Sequence, residues 1–164
     1  MARRFTSEQL RQHKTLQKLI NAASAKNPVQ RKAKVVVPEA PTVSRAIISI
    51  DRLLPGLNGD DGLIRQSHFK ATKVKAALLE DVKSGNHGTF GRARVKIICT
   101  RYYCGTAMDF DNASASFKYL VDAIVKAGII YDDGPKTIEE WTVKQVSVKS
   151  RKFQKMEVEI LIHL

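Results

Sequence analysis

The sequence predicts an α+β domain, a mixed β-sheet with helices packed on it, behind a basic N-terminal helical extension. Three observations carry this. Residues 137–149 and 153–163 alternate apolar and polar side chains. Val143, Val146 and Val148 mark the first and Met156, Val158, Ile160 and Ile162 the second, the period of a half-buried strand. Residues 67–82 and 112–127 instead place apolar side chains at helical spacing. Residues 44–51 form a β-branched run, as a further strand requires.

From the N-terminus, Thr6-Ser7-Glu8-Gln9 reads as a capping box that opens a helix with a thin stripe of Leu10, Leu16, Leu19 and Ile20. Arg31, Lys32 and Lys34, spaced by Pro28, Pro38 and Pro41, then form an extended basic linker. Residues 1–42 are therefore an appendage, either a DNA-gripping arm or a solubilising tail, and 43–164 the compact domain. After the first strand, Leu54-Pro55-Gly56-Leu57-Asn58-Gly59-Asp60-Asp61-Gly62 is a turn-rich loop, and the flanking glycines favour a solvated turn over a metal site at Asp60-Asp61.

The helix over 67–82 should bury Phe69, Val74, Leu78 and Val82, with Lys70, Lys73, Lys75 and Lys83 on its wet side or against phosphates. Residues 90–100 read as a strand in which Arg92, Arg94 and Lys96 alternate with Ala93, Val95 and Ile97, a row of cations on one sheet face. The helix over 112–127 should be capped by Asn112, bury Phe117, Leu120, Val121, Ile124 and Val125, and end at Gly128. Ser150-Arg151-Lys152 should join the last two strands as a hairpin.

Charge defines the partner class. The chain carries 28 Lys and Arg against 16 Asp and Glu, a formal net charge of +12, which favours a polyanion such as nucleic acid. Residues 1–45 hold +8 of this. Arg92, Arg94, Lys96, Lys144, Lys149, Arg151 and Lys152 are the expected backbone-binding surface. No apolar run approaches a membrane span and no leader pattern opens the chain, so a cytoplasmic protein with no membrane partner is expected. Cys99 and Cys104, with no second pair, read as reduced thiols on or after a strand.

In so basic a chain, the acids at the two ends of one helix stand out. Asp109 and Asp111 sit two apart, and an extended backbone would send both carboxylates to one face with Phe110 opposite. Such a pair repels itself unless a cation lies between, and oxygen ligands without Cys or His suit Mg²⁺ or Mn²⁺. Lys118 and Asp122 are spaced for a surface ion pair, the alternative being a lysine aimed at a phosphate. A straight helix of sixteen residues spans about 24 Å. Asp133 then shares a site with Asp111 only if the helix is broken or the site closes between two chains.

The whole phrase Asp109-Phe110-Asp111-Asn112, Phe117-Lys118, Leu120-Val121-Asp122-Ala123-Ile124-Val125-Lys126-Ala127-Gly128-Ile129-Ile130 and Asp132-Asp133 resembles the signature of the RusA family. These are Holliday junction resolvases of bacteria and prophages. The resemblance spans 108–133, extends loosely to 137–163 and to Leu54-Pro55-Gly56-Leu57-Asn58, and leaves out 1–42. It implies a RusA-like fold in which Asp109, Asp111 and Asp133 are metal-binding catalytic acids, Lys118 the catalytic lysine and Asp132 an assisting neighbour. It also implies a Mg²⁺-dependent endonuclease, with Mn²⁺ a substitute, that nicks four-way DNA in recombination and repair. The chain departs from the family prototype in placing Ala113-Ser114-Ala115-Ser116-Phe117, a longer gap, before the lysine. Two symmetric nicks call for a two-fold homodimer. A non-catalytic nucleic-acid-binding protein that keeps the fold is the alternative. A phosphotransfer enzyme acting on a nucleotide is disfavoured, because none of the nine glycines builds a phosphate loop.

Overall fold

The computed structural model describes residues 40–58 and 62–162, all in the unit Val35–Leu164. The expected helix and most of the linker in 1–42, the Asp60-Asp61 pair and the end of the last strand at His163 lie outside the described residues. The elements are β1 (Arg45–Ile50), α1 (His68–Ser84), β2 (Val95–Tyr103), α2 (Phe110–Ser116), α3 (Lys118–Lys126), β3 (Ile138–Ser147), a 3₁₀ turn (Arg151–Phe153) and β4 (Lys155–Ile162). The mixed sheet with packed helices is thus the α+β class expected.

The four strands lie in the order β1-β4-β2-β3. β4 runs antiparallel to both β1 and β2, and β3 runs parallel to β2. The last two strands are therefore not a hairpin. The Arg151–Phe153 turn carries the chain past β2, anchored where Val148 N–H donates to Tyr103 O at 2.8 Å, and β4 inserts between β1 and β2. The cause is burial: Met156, Val158 and Ile160 are fully buried, and a central strand satisfies both backbone edges while covering that apolar face. β3, with Glu139, Glu140 and Lys144 exposed, is left at an edge, where charge discourages further pairing.

Register brings Ile48 opposite Val158 and Val158 opposite Cys99, so the buried residues of β1, β4 and β2 share one face. That face meets α1 and α3 in a core including Leu78, Val82, Leu120, Val121 and Ile124. α1 begins as expected at Ser67, whose side chain accepts from Lys70 N–H at 3.3 Å. Its apolar face is shorter than expected, however. Leu78 and Val82 are buried, but Phe69, in the first turn, is 83% exposed and lies edge-to-face with the His68 ring.

β2 starts five residues later than expected. Gly91 adopts a positive φ of 56°, a turn conformation that ends strand geometry, and Phe90 is buried in the loop before it with its N–H on Ile129 O. Arg92 and Arg94 consequently precede the sheet, and the row of cations on one face is not formed. Cys99 and Cys104 are both free thiols, on β2 and just after it. Among the described residues no helix is long and apolar enough to cross a membrane.

Candidate active site

The helix after β2 opens on Asp109, not on Asn112. Asp109 has extended backbone (φ −60°, ψ 163°), and its Oδ1 accepts from Asn112 N–H at 2.8 Å, the arrangement of an N-cap. Asp and Asn cap equally well, so spacing alone did not choose between them. Capping at Asp109 puts Asp111 inside the first helical turn, where the positive helix end favours an exposed acid. Asp109 and Asp111 are therefore not alternate residues of an extended segment, and the shared face that an extended backbone predicts for them is not formed. Phe110 between them is 70% exposed.

Asn112 is the hub of this end of the site. Its Nδ2 donates to Asp109 Oδ2 at 2.7 Å, while its Oδ1 accepts from Leu57 N–H at 2.8 Å and Asn58 N–H at 3.2 Å. One amide thus ties the loop after β1 to the Asp109 carboxylate. Gly56 makes room for it, since a Cβ there would lie 2.7 Å from Asn112 Oδ1. On the other side, Gln145 of β3 pairs its amide with both backbone groups of Met108. The backbone N–H of Asn112, and then its side chain, hold the Asp109 carboxyl below the usual carboxylate range.

The long helix is broken within the chain. α2 ends at Ser116 and α3 begins at Lys118, with the buried Phe117 as the joint between them. Phe117 N–H bonds back to Ser114 O at 3.2 Å, a tightened last turn that finishes one helix and starts the next. At the far end Ala127 is the C-cap and Gly128, at φ 79°, turns the chain back as expected.

The return segment brings Asp133 against Lys118. Lys118 Nζ donates to Asp133 Oδ2 and also pairs with Asp122 Oδ1 at 3.0 Å, so the expected i,i+4 pair exists within a larger group. Lys75 of α1 joins it, 3.6 Å from Asp122 Oδ2 and 4.5 Å above the Tyr119 ring. The hydrogen bond from Lys118 is the main reason Asp133 lies below its ordinary range, and the same bond is the main reason Lys118 lies above its own. Both are charged at neutral pH.

The structure therefore assembles Lys118 with Asp133, and Asp109 with Asn112. Among the described residues it gathers no three of His, Cys, Asp and Glu into a ligand cluster, so Asp109, Asp111 and Asp133 are not collected at one point. Of the expected DNA-binding cations, Arg92 stacks 4.4 Å over the Tyr131 ring, Arg94 pairs with Glu139 at 3.4 Å and Lys96 with Glu140 at 3.1 Å. Lys144, Lys149, Arg151 and Lys152 are exposed on β3 and the turn after it.

Helical spacing places Lys75 among the wet-side lysines of α1 but does not give its pairing with Asp122, nor the positioning role of Asn112, nor Arg101. Arg101 left a usable signal: it shares the parity of Val95, Ile97 and Cys99, which marks an arginine on the buried face of β2. Neither a family model nor a curated protein matches the chain.

Proposed function

We propose that the protein is a metal-dependent, structure-selective endonuclease of the RusA type that resolves four-way DNA junctions as a homodimer. The observation that supports it best is the meeting of Lys118 and Asp133. Both are implied by the resemblance, and they touch although they lie fifteen positions apart with the rest of α3 between them. The turn at Ala127 and Gly128 brings them together within one chain, whereas the break at Phe117 precedes Lys118, and among the described residues Asp111 is not gathered with Asp133.

The donor set suits a hard cation. Asp109, Asp111 and Asp133 offer only carboxylate oxygens, and Asp109 and Asp133 are held ionised by their neighbours. The structure does not gather these three among the described residues, so they would have to converge to hold Mg²⁺ or Mn²⁺, which would supply an activated water and neutralise phosphate charge. The chain's own groups do the rest. Asn112 holds the Asp109 carboxylate, Gln145 fixes the Met108 backbone beside it, and Lys118 stands ready to offset charge developing on a phosphate. Lys144, Lys149, Arg151 and Lys152 supply positive charge for the DNA backbone, selecting shape rather than sequence.

A second reading has a specific observation behind it. Both Asp109 oxygens already accept from Asn112, and Asp133 is paired with Lys118, as expected if these acids only brace the fold of a non-catalytic nucleic-acid-binding protein. Cleavage of a synthetic four-way junction with Mg²⁺, wild type against Asp111→Asn, separates the two. Symmetric nicks lost in Asp111→Asn support the nuclease. Salt-sensitive binding without cleavage by either protein supports the second reading.

A further inference from the structure

One basic groove lies apart from the Lys118–Asp133 group. It runs between the segment after β1 and the first half of α1, has a volume of about 610 Å³, and is lined by Arg52, Lys70, Lys73, Arg101 and several apolar side chains. No carboxylate lines it among the described residues. We propose that this groove is a phosphate-binding subsite that takes a backbone phosphate of nucleic acid.

Arg101 is the central residue of the groove. It projects from the buried face of β2 and is only 6% exposed. A buried guanidinium normally has a carboxylate beside it, because an unneutralised buried charge is costly. Arg101 has none among the described residues. Its Nη1 donates to Leu54 O at 2.9 Å, and its Nε, also buried, has no hydrogen-bond partner. A guanidinium offers five donors in a planar fork that matches phosphate oxygens, so an anion in the groove would both neutralise the charge and use the remaining donors.

The surroundings fit the same ligand. Lys70 and Lys73 lie three apart on α1, the spacing that places two side chains on one helix face, and both line the groove. Arg52 lines it as well and is oriented by Asp81, which itself stays outside the lining. The apolar floor, with Leu54 and Val74, suits a sugar or base more than a bare ion. Met108, the residue before Asp109, forms part of the wall, so a strand seated here would pass beside the candidate acids. The choice of nucleic acid as the source of the phosphate rests on the proposed function, whereas the anion chemistry of the groove does not.

The test measures binding in EDTA, so that cleavage plays no part. A fluorescent four-way junction is titrated with wild type and with Lys70→Glu/Lys73→Glu, at several salt concentrations. The double variant should bind at least about tenfold more weakly and show a shallower salt dependence, by roughly one phosphate contact per lysine. In parallel, inorganic phosphate should raise the melting temperature of the wild type and not that of the double variant. Arg101→Gln should lose the same shift. Should that variant not fold, the exposed lysine pair decides alone.

A folded double variant with unchanged junction affinity and salt dependence overturns the proposal. Phosphate protection of the wild type together with unchanged DNA affinity in the double variant also overturns it, because the source would then be a free phosphate. Weakened binding in the double variant, with no cleavage by wild type when Mg²⁺ is restored, upholds the subsite and defeats the nuclease reading.

Discussion

The ammonium of Lys118 lies on the carboxylate of Asp133, joining the first residue of α3 to the segment that returns beneath it. Asp122 holds the same ammonium from one turn along the helix, and Lys75 balances Asp122 from α1. Two cations and two anions alternate there on the protein surface.

If this group acts on a phosphate, its members should matter far more to activity than to stability. Lys118→Ala removes a half-exposed pair, and exposed pairs contribute at most about 1 kcal/mol. Its unfolding midpoint in urea should stay within that range of wild type. Single-turnover junction cleavage should fall at least about 100-fold. A variant that cuts normally would remove Lys118 from the reaction.

Acid should weaken the same contact. The folded carboxyl of Asp133 lies below its ordinary value, so its contribution is complete above that value and is lost as pH falls through the lowered one. Urea midpoints measured downward from pH 6 should therefore drop less steeply in Lys118→Met, which lacks the hydrogen bond that lowers Asp133. Equal slopes in the two proteins would mean that the pair does not form in solution.

Asn112→Ala deletes a side chain with three partners and leaves Leu57 N–H without its acceptor. A loss of about 1–2 kcal/mol is expected, from the unmade bonds of a partly buried amide. The Asp109 carboxyl should titrate higher in the variant, which carbon-detected NMR can follow. Gly56→Ala should act in the same direction, since its added Cβ would meet the Asn112 side chain.

Phe117 tests the helix joint. It is fully buried between α2 and α3, and Phe117→Ala should cost about 3–5 kcal/mol in chemical denaturation. A much smaller loss would show that the joint collapses around the space.

The two thiols should differ in reactivity. Burial pushes the Cys99 thiol up to about 12, whereas Cys104 is partly exposed beyond the end of β2. A maleimide at pH 7.5 should label one cysteine quickly in the native protein and the second only after unfolding. Mass spectrometry of the labelled peptides identifies which.

The sequence by itself determined most element types and the buried face of β4, but not the exposure of Phe69 on α1 or the loop at 90–94. The alternation of Met156, Val158 and Ile160 marks a strand with one apolar face, Ser67 marks the start of α1, and Gly128 marks the end of α3, because these are local consequences of side-chain period and backbone freedom. Only the tertiary structure decided which strands pair. Alternation assigns a face but not a neighbour, so β4 went between β1 and β2, where its backbone is paired on both edges, and the hairpin with β3 was not made. It also decided the register of the helix around the acids. Asp109 and Asn112 are equivalent caps in sequence, and the contacts of Asn112 with Leu57 and of Met108 with Gln145 favour the earlier start. The turn at Gly128 and the buried Ile129 and Ile130 then carry the chain back so that Asp133 meets Lys118, a relationship that helical spacing alone could not supply.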